Sequence, residues 1–91
     1  MIFRKEATMY VGAQISLYPL AQADLAPGIQ DIWDALEEAD LDQQPGPMST
    51  LAFGEDEAIL QSLQEGFRRA AERGPAVLVI TLTNACPMPE K

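Results

Sequence analysis

The sequence predicts an α+β fold, a ferredoxin-like βαββαβ sandwich with a four-stranded antiparallel sheet and two helices on one face. Three observations lead there. Tyr10 to Pro19 alternates strictly, with Val11, Ala13, Ile15 and Leu17 on one side and Tyr10, Gly12, Gln14, Ser16 and Tyr18 on the other. Side chains alternate across a strand, so this is a strand with one apolar and one polar, aromatic face. Two later windows repeat apolar residues at helical spacing, and short strand-like runs flank them. Right-handed crossovers then set the first and last strands side by side.

Each element has local grounds. The first strand is expected from about Thr8 to Tyr18, stopped by Pro19, which cannot continue a ladder. Asp24 can cap a helix from about Leu25 to Ala39, with Pro27 inside the tolerant first turn. Leu25, Ile29, Ile32, Trp33 and Leu36 form its apolar stripe, with Trp33 at the edge as core lining; Asp31, Asp34 and Glu38 are expected on the solvated side. A short strand near Leu41 to Gln44 runs into turn chemistry at Pro45-Gly46-Pro47. Met48 to Phe53 reads as a strand ended by Gly54, with Leu51 and Phe53 toward the core and Met48, Thr50 and Ala52 opposite. A second helix is expected from about Asp56 to Arg73, with Ile59, Leu60, Leu63, Phe67 and Ala70 in its stripe and Gly74-Pro75 as its stop. Arg68, Arg69 and Arg73 suit the negative end of that helix. The last strand is Ala76 to Thr83, with Leu78, Ile80 and Leu82 toward the helices. Met1 to Ala7 reads as a lead-in and Asn84 to Lys91 as a tail.

Length and charge narrow the function. Ninety-one residues make one small domain, 1–91, whose modest core leaves surface for a second copy to cover. The net charge is −8, and no Lys or Arg lies between Ala7 and Phe67, where eleven acids fall. Nucleic acid and phosphate-rich ligands need positive charge, so no nucleic-acid partner is expected. No segment is long enough to cross a membrane, so no membrane partner is expected. Arg4-Lys5 before a partly apolar run imitates a secretory signal, but the run alternates and contains Gln14, Ser16 and Pro19; the expected location is cytoplasmic.

Catalytic chemistry is poorly supplied. The chain has no His, so the usual general base and the commonest metal ligand are missing. Its single Cys, Cys86, can form neither an internal disulfide nor a thiolate cage, and no base lies near it in sequence. Leu20 to Ala23 offers neither the paired cysteines of a copper carrier nor the Arg cradle of an acylphosphatase. The expectation is a protein with no catalytic residues, no metal and no cofactor.

Three motifs in order carry a resemblance: Gly12-x-Gln14-x-Ser16-Leu17-Tyr18-Pro19, then Ser49-Thr50-Leu51 running into Gly54-Glu55, then Thr83-Asn84-Ala85-Cys86-Pro87. Together, over about Met9 to Pro87, they resemble the YkoF-type thiamine/hydroxymethylpyrimidine-binding domains and related small thiamine-binding proteins. The resemblance implies a ferredoxin-like domain, used in tandem or as an oligomer of single domains, that binds thiamine or its pyrimidine precursor without catalysis. With one domain copy present, the partner must come from another chain, as a homodimer or higher homo-oligomer.

The residues themselves fit such a ligand. An aminopyrimidine needs a flat apolar slot and a few hydrogen-bonding groups. Gln14 offers a donor and an acceptor, and Ser16, Ser49 and Thr50 offer hydroxyls. Tyr18 can stack on a ring or face the thiazolium cation. Asn84 closes the set of ligand-binding candidates, although ending the strand and shaping the tail is the better reading of it. These groups are expected on the open sheet face or at a subunit interface. Unphosphorylated ligand is expected to bind better than the diphosphate, because no basic residue lies on the candidate strands. The competing reading is an interaction or regulatory domain whose open face serves only oligomerisation.

Overall fold

The computed structural model describes residues 9–46 and 49–85. The order is β1 (Tyr10–Pro19), α1 (Ala26–Glu38), β2 (Asp42–Pro45), β3 (Thr50–Glu55), α2 (Asp56–Ala71) and β4 (Ala76–Thr83). The strands form one antiparallel sheet ordered β2-β3-β1-β4, which is the ferredoxin-like βαββαβ arrangement. β1 is central, and β2 and β4 are the edges.

The alternation of β1 holds. Val11, Ala13 and Ile15 are buried in the core with Ile32, Leu36, Ala52, Ile59 and Leu63, and Leu17, Leu41 and Leu78 pack against them. Pro19 belongs to the strand, paired with Ala76, rather than stopping it. The Leu20 N–H donates to the Pro75 carbonyl at 2.8 Å, and successive N–H groups point to opposite sides of a strand. Position 19 therefore turns its missing N–H toward β3, whose ladder has already stopped at the Ile15–Thr50 pair.

β3 differs from expectation in phase. Gly54 pairs with Val11, Ala52 with Ala13 and Thr50 with Ile15, and directly opposed residues share a face. Thr50, Ala52 and Gly54 thus lie under the helices, while Leu51 and Phe53 share the open face with Gln14 and Gly12. A Cβ at Gly54 would collide with the Leu41 side chain from the turn after α1, so position 54 takes a glycine unless Leu41 shifts. Gly54 continues the strand, which runs on to Glu55. Met48 and Cys86 lie outside the described residues, as does Thr8.

The helices are set by close approach. At Gly66 of α2 a Cβ would stand 3.0 Å from Ile32 Cδ1 and 3.2 Å from Ile32 Cα, so a bare backbone lets α1 and α2 meet. α1 starts at Ala26, whose N–H donates to Asp24 Oδ1 at 3.1 Å. It ends through Asp40 in the left-handed region (φ 60). The Asp40 and Leu41 N–H groups return to the Glu37 and Leu36 carbonyls, a Schellman ending that satisfies two orphan acceptors.

The solvated side expected for α1 is not uniform. Asp31 is buried, because Arg73 grips it with Nε–Oδ2 2.7 Å and Nη2–Oδ1 3.1 Å across the two helices. Arg69 forks onto Glu38 at 2.7 and 3.1 Å and also reaches Glu65 at 3.0 Å. The hydrogen bond from Arg69 holds the Glu38 carboxyl below its ordinary value. Arg73 is likewise raised above its ordinary value, chiefly by its hydrogen bond to Asp31. The stripes are narrower than expected: Leu25 and Leu60 are exposed, while Ser62 is buried.

Candidate functional site

The six candidate residues separate into three places. Ser16, Ser49 and Thr50 meet in one cleft, lined also by Ile15, Leu17, Ile29, Ile32, Trp33 and Gly46, with a volume of about 70 Å³. The cleft exists because β3 begins at Thr50 while β1 runs on to Pro19. Beyond the Ile15–Thr50 pair no strand among the described residues lies beside β1 on its β3 side, and α1 roofs the space that is left. Ile15, Leu17, Ile29 and Ile32 make aliphatic walls, and Ser49 and Thr50 supply the hydroxyls; Ser16 borders the cleft, but its place in the strand sets its side chain on the open face, opposite Val79.

One hydrogen bond fixes this cleft. The Trp33 indole N–H donates to Thr50 Oγ1 at 2.8 Å. The indole is therefore held at the cleft wall, and the Thr50 hydroxyl, which accepts that bond, retains its own O–H and a second lone pair. The link ties α1 to β3 across 17 residues of sequence. Trp33 is both core lining and site wall, a role that its place at the edge of the apolar stripe only half revealed. Gln43 lies beside it: Nε2 donates to the Trp33 carbonyl at 3.2 Å. Its Oε1 is buried without a partner among the described residues. Sequence reasoning missed Gln43, having read its segment as a poor strand running into a turn; its pairing with Ala52 places it on the helix side of β2.

Gln14 lies elsewhere. It is exposed on the open face and lines a separate depression of about 120 Å³ with Gly12, Leu51, Phe53, Thr81 and Thr83. Its cross-strand neighbours are Leu51 and Thr81. Tyr18 is on the same face, half exposed and opposite Val77. Asn84 follows the last strand, its Nδ2 4.0 Å from Met9 Sδ, and lines a hollow with Met9, Val11, Leu82 and Thr83. Among the described residues no group of three His, Cys, Asp or Glu side chains could hold a metal ion. No helix among them is long and apolar enough to cross a membrane.

A two-layer α+β sandwich with a roofed cleft at one end of its central strand is the class defined by this geometry. Solved structures share the fold. A hypothetical protein from Methanocaldococcus jannascii superposes with a TM-score of 0.78 at 18% identity, over 90% of this chain and 87% of that one. A DUF77 domain of unknown function from Bacillus cereus gives 0.74 at 15%, over 90% and 84%. A protein from Thermotoga maritima described as a "putative thiamine biosynthesis/salvage protein" gives 0.70 at 24%, over 80% and 81%. At such identities the likeness is one of fold. No functionally curated protein matches the chain. Residues 10–89 match the YKOF-related family, and the chain belongs to that family.

Proposed function

We propose that this protein binds thiamine or its hydroxymethylpyrimidine moiety without transforming it, and that the pyrimidine edge enters the cleft of Ser16, Ser49 and Thr50. The observation that carries this reading is the cleft itself: aliphatic walls, a fixed indole and the hydroxyls of Ser49 and Thr50, within a YKOF-related domain. The thiamine-related description of the Thermotoga maritima neighbour supports the ligand class. Hydroxyls can donate to ring nitrogens and accept from an exocyclic amine, so they suit an aminopyrimidine edge. A volume of about 70 Å³ is roughly half the ~150 Å³ that holds benzene in an engineered core. The cleft therefore takes the edge of a ring, and the rest of a two-ring ligand lies outside it. The chain lacks His, and no Lys or Arg among the described residues lines the cleft, so neither acid–base turnover nor diphosphate binding is favoured.

Calorimetric titration with thiamine, hydroxymethylpyrimidine and thiamine diphosphate tests this. The first two should bind, and the diphosphate should bind more weakly. Tighter binding of the diphosphate would contradict the site as described.

A second reading rests on a different observation. Val77, Val79, Ile80 and Leu82 are all more than a third exposed, and exposed apolar groups this close together mark contact surfaces. We infer that the protein self-associates as a homo-oligomer through its uncovered sheet face or a sheet edge.

A further inference from the structure

β1 outruns its neighbour on one side only. Along β4 it is paired as far as Pro19, but along β3 its ladder stops at Ile15 and Thr50. The Leu20–Pro75 hydrogen bond turns the main-chain groups of Ser16 and Tyr18 toward β4, because such groups alternate sides along a strand. Those of Leu17 therefore point the other way, into the flank that β3 leaves open. Pro19 has the same direction but no N–H. The Ser49 carbonyl is turned toward β2, where it accepts from the Gly46 N–H at 2.8 Å. Among the described residues no hydrogen bond engages the Leu17 N–H or C=O. That flank is the cleft: Leu17 lines it, and Ile29, Ile32 and Trp33 of α1 stand over it.

We propose that the Leu17 main chain selects the ligand: its N–H donates to a ring nitrogen, and its C=O accepts from the amino group beside that nitrogen. This rests on the binding proposed above and names the atoms that discriminate. In a hydrogen-bonded strand pair, each residue exchanges both an N–H and a C=O bond with the residue opposite. A ring that carries an amino group next to a ring nitrogen offers the same acceptor and donor on adjacent atoms. It takes the place of the missing strand residue, with its ring in line with the sheet and one face under α1. Two features of Leu17 suit it to this. Its neighbours are held from the far side by the Ser16–Val79 and Tyr18–Val77 pairs, so the peptide groups are already aimed and little freedom is lost on binding. The walls beside it are aliphatic, and a peptide group among apolar neighbours gains most from a partner that completes its hydrogen bonds. The ligand class is thereby narrowed to rings with an amino group beside a ring nitrogen, against the same rings without the amine.

The test is an amide NMR titration of the full chain with hydroxymethylpyrimidine and with its analogue lacking the amino group. The Trp33 indole N–H reports filling of the cleft independently of Leu17. At saturation the Leu17 amide proton should move downfield and exchange more slowly with solvent, while those of Ser16 and Tyr18, already directed at β4, should change little. The analogue should bind about tenfold more weakly, as loss of one hydrogen bond in a closed site implies. Leu17→Pro deletes the N–H and leaves the β4 ladder its bonds, as Pro19 does two residues on. Leu17→Ala trims the same side chain and keeps the N–H. The proline variant should bind about tenfold more weakly than the alanine variant; should it fail to fold by circular dichroism, the wild-type amide shifts decide alone. A shifted Trp33 indole with an unmoved Leu17 amide, equal binding of the analogue, or equal affinity of the two variants would overturn the role of Leu17 and leave the cleft standing. No shift at either residue would overturn both.

Discussion

Two hollows lie on opposite faces of the same strand, and they are built differently. The cleft of Ser16, Ser49 and Thr50 is roofed by α1, and a Trp33–Thr50 hydrogen bond holds its wall. The roof is itself clamped to α2 by the Asp31–Arg73 and Glu38–Arg69 pairs. The depression around Gln14 has no roof, and its polar groups, Gln14, Thr81 and Thr83, are exposed. Both contain residues that suit a pyrimidine. The difference teaches that preorganisation, not residue type, separates them: a site wall that is already fixed loses less entropy when a ligand arrives. The depression is the larger hollow, so volume alone would favour the other face.

Substitutions that act on one hollow and spare the other sharpen the contrast. The largest effect is expected from Gly66→Val. Its side chain would press on the Ile32 backbone and push α1 from α2, costing about 3 kcal/mol in chemical denaturation as overpacking does. Ligand affinity should fall with it if α1 is the roof of the site. Thr50→Val comes next. It keeps the shape but leaves the Trp33 N–H unpaired, so a loss of about 1–3 kcal/mol in stability is expected, together with weaker binding. Gln14→Ala, on an exposed side chain, should change stability by less than about 0.5 kcal/mol. The smallest effect concerns the clamp. Glu38 has a carboxyl lowered from 4.5 by Arg69, so its stabilising contribution is present above that value and is lost as pH falls through the lower, folded-state value. Glu38→Gln should lower stability slightly at neutral pH and leave it unchanged in acid, so that the acid limb of a stability–pH profile flattens.

The sequence made β1 legible because its alternation is unbroken and its faces differ in polarity. β3 was harder. Leu51 and Phe53 are its bulkiest apolar residues, so size assigned them to the core, yet the register with β1 sets Thr50, Ala52 and Gly54 beneath the helices, where the Leu41 side chain fills the space beside Gly54. That reversal moves Thr50 from the open face into the cleft and splits it from Gln14, which the sequence had placed together. Local periodicity carries no record of distant partners. Asp31 looks solvated on a helical wheel, and only Arg73, 42 residues on, makes its burial tolerable. Trp33 and Gln43 became site residues through contacts of the same kind. Ser16 and Ser49 were found by motif, and the structure explains why both border the cleft by the unequal lengths of β1 and β3.

The most direct measurement is a calorimetric titration of hydroxymethylpyrimidine into wild type, Thr50→Val and Gln14→Ala at one salt concentration. The account predicts binding to wild type, a loss of about tenfold or more in Thr50→Val, as removal of a buried hydrogen-bonding group produces, and an affinity within about twofold of wild type in Gln14→Ala. Retained affinity in Thr50→Val with loss in Gln14→Ala would move the site to the open face and contradict it, and an absence of binding to wild type would contradict the ligand class.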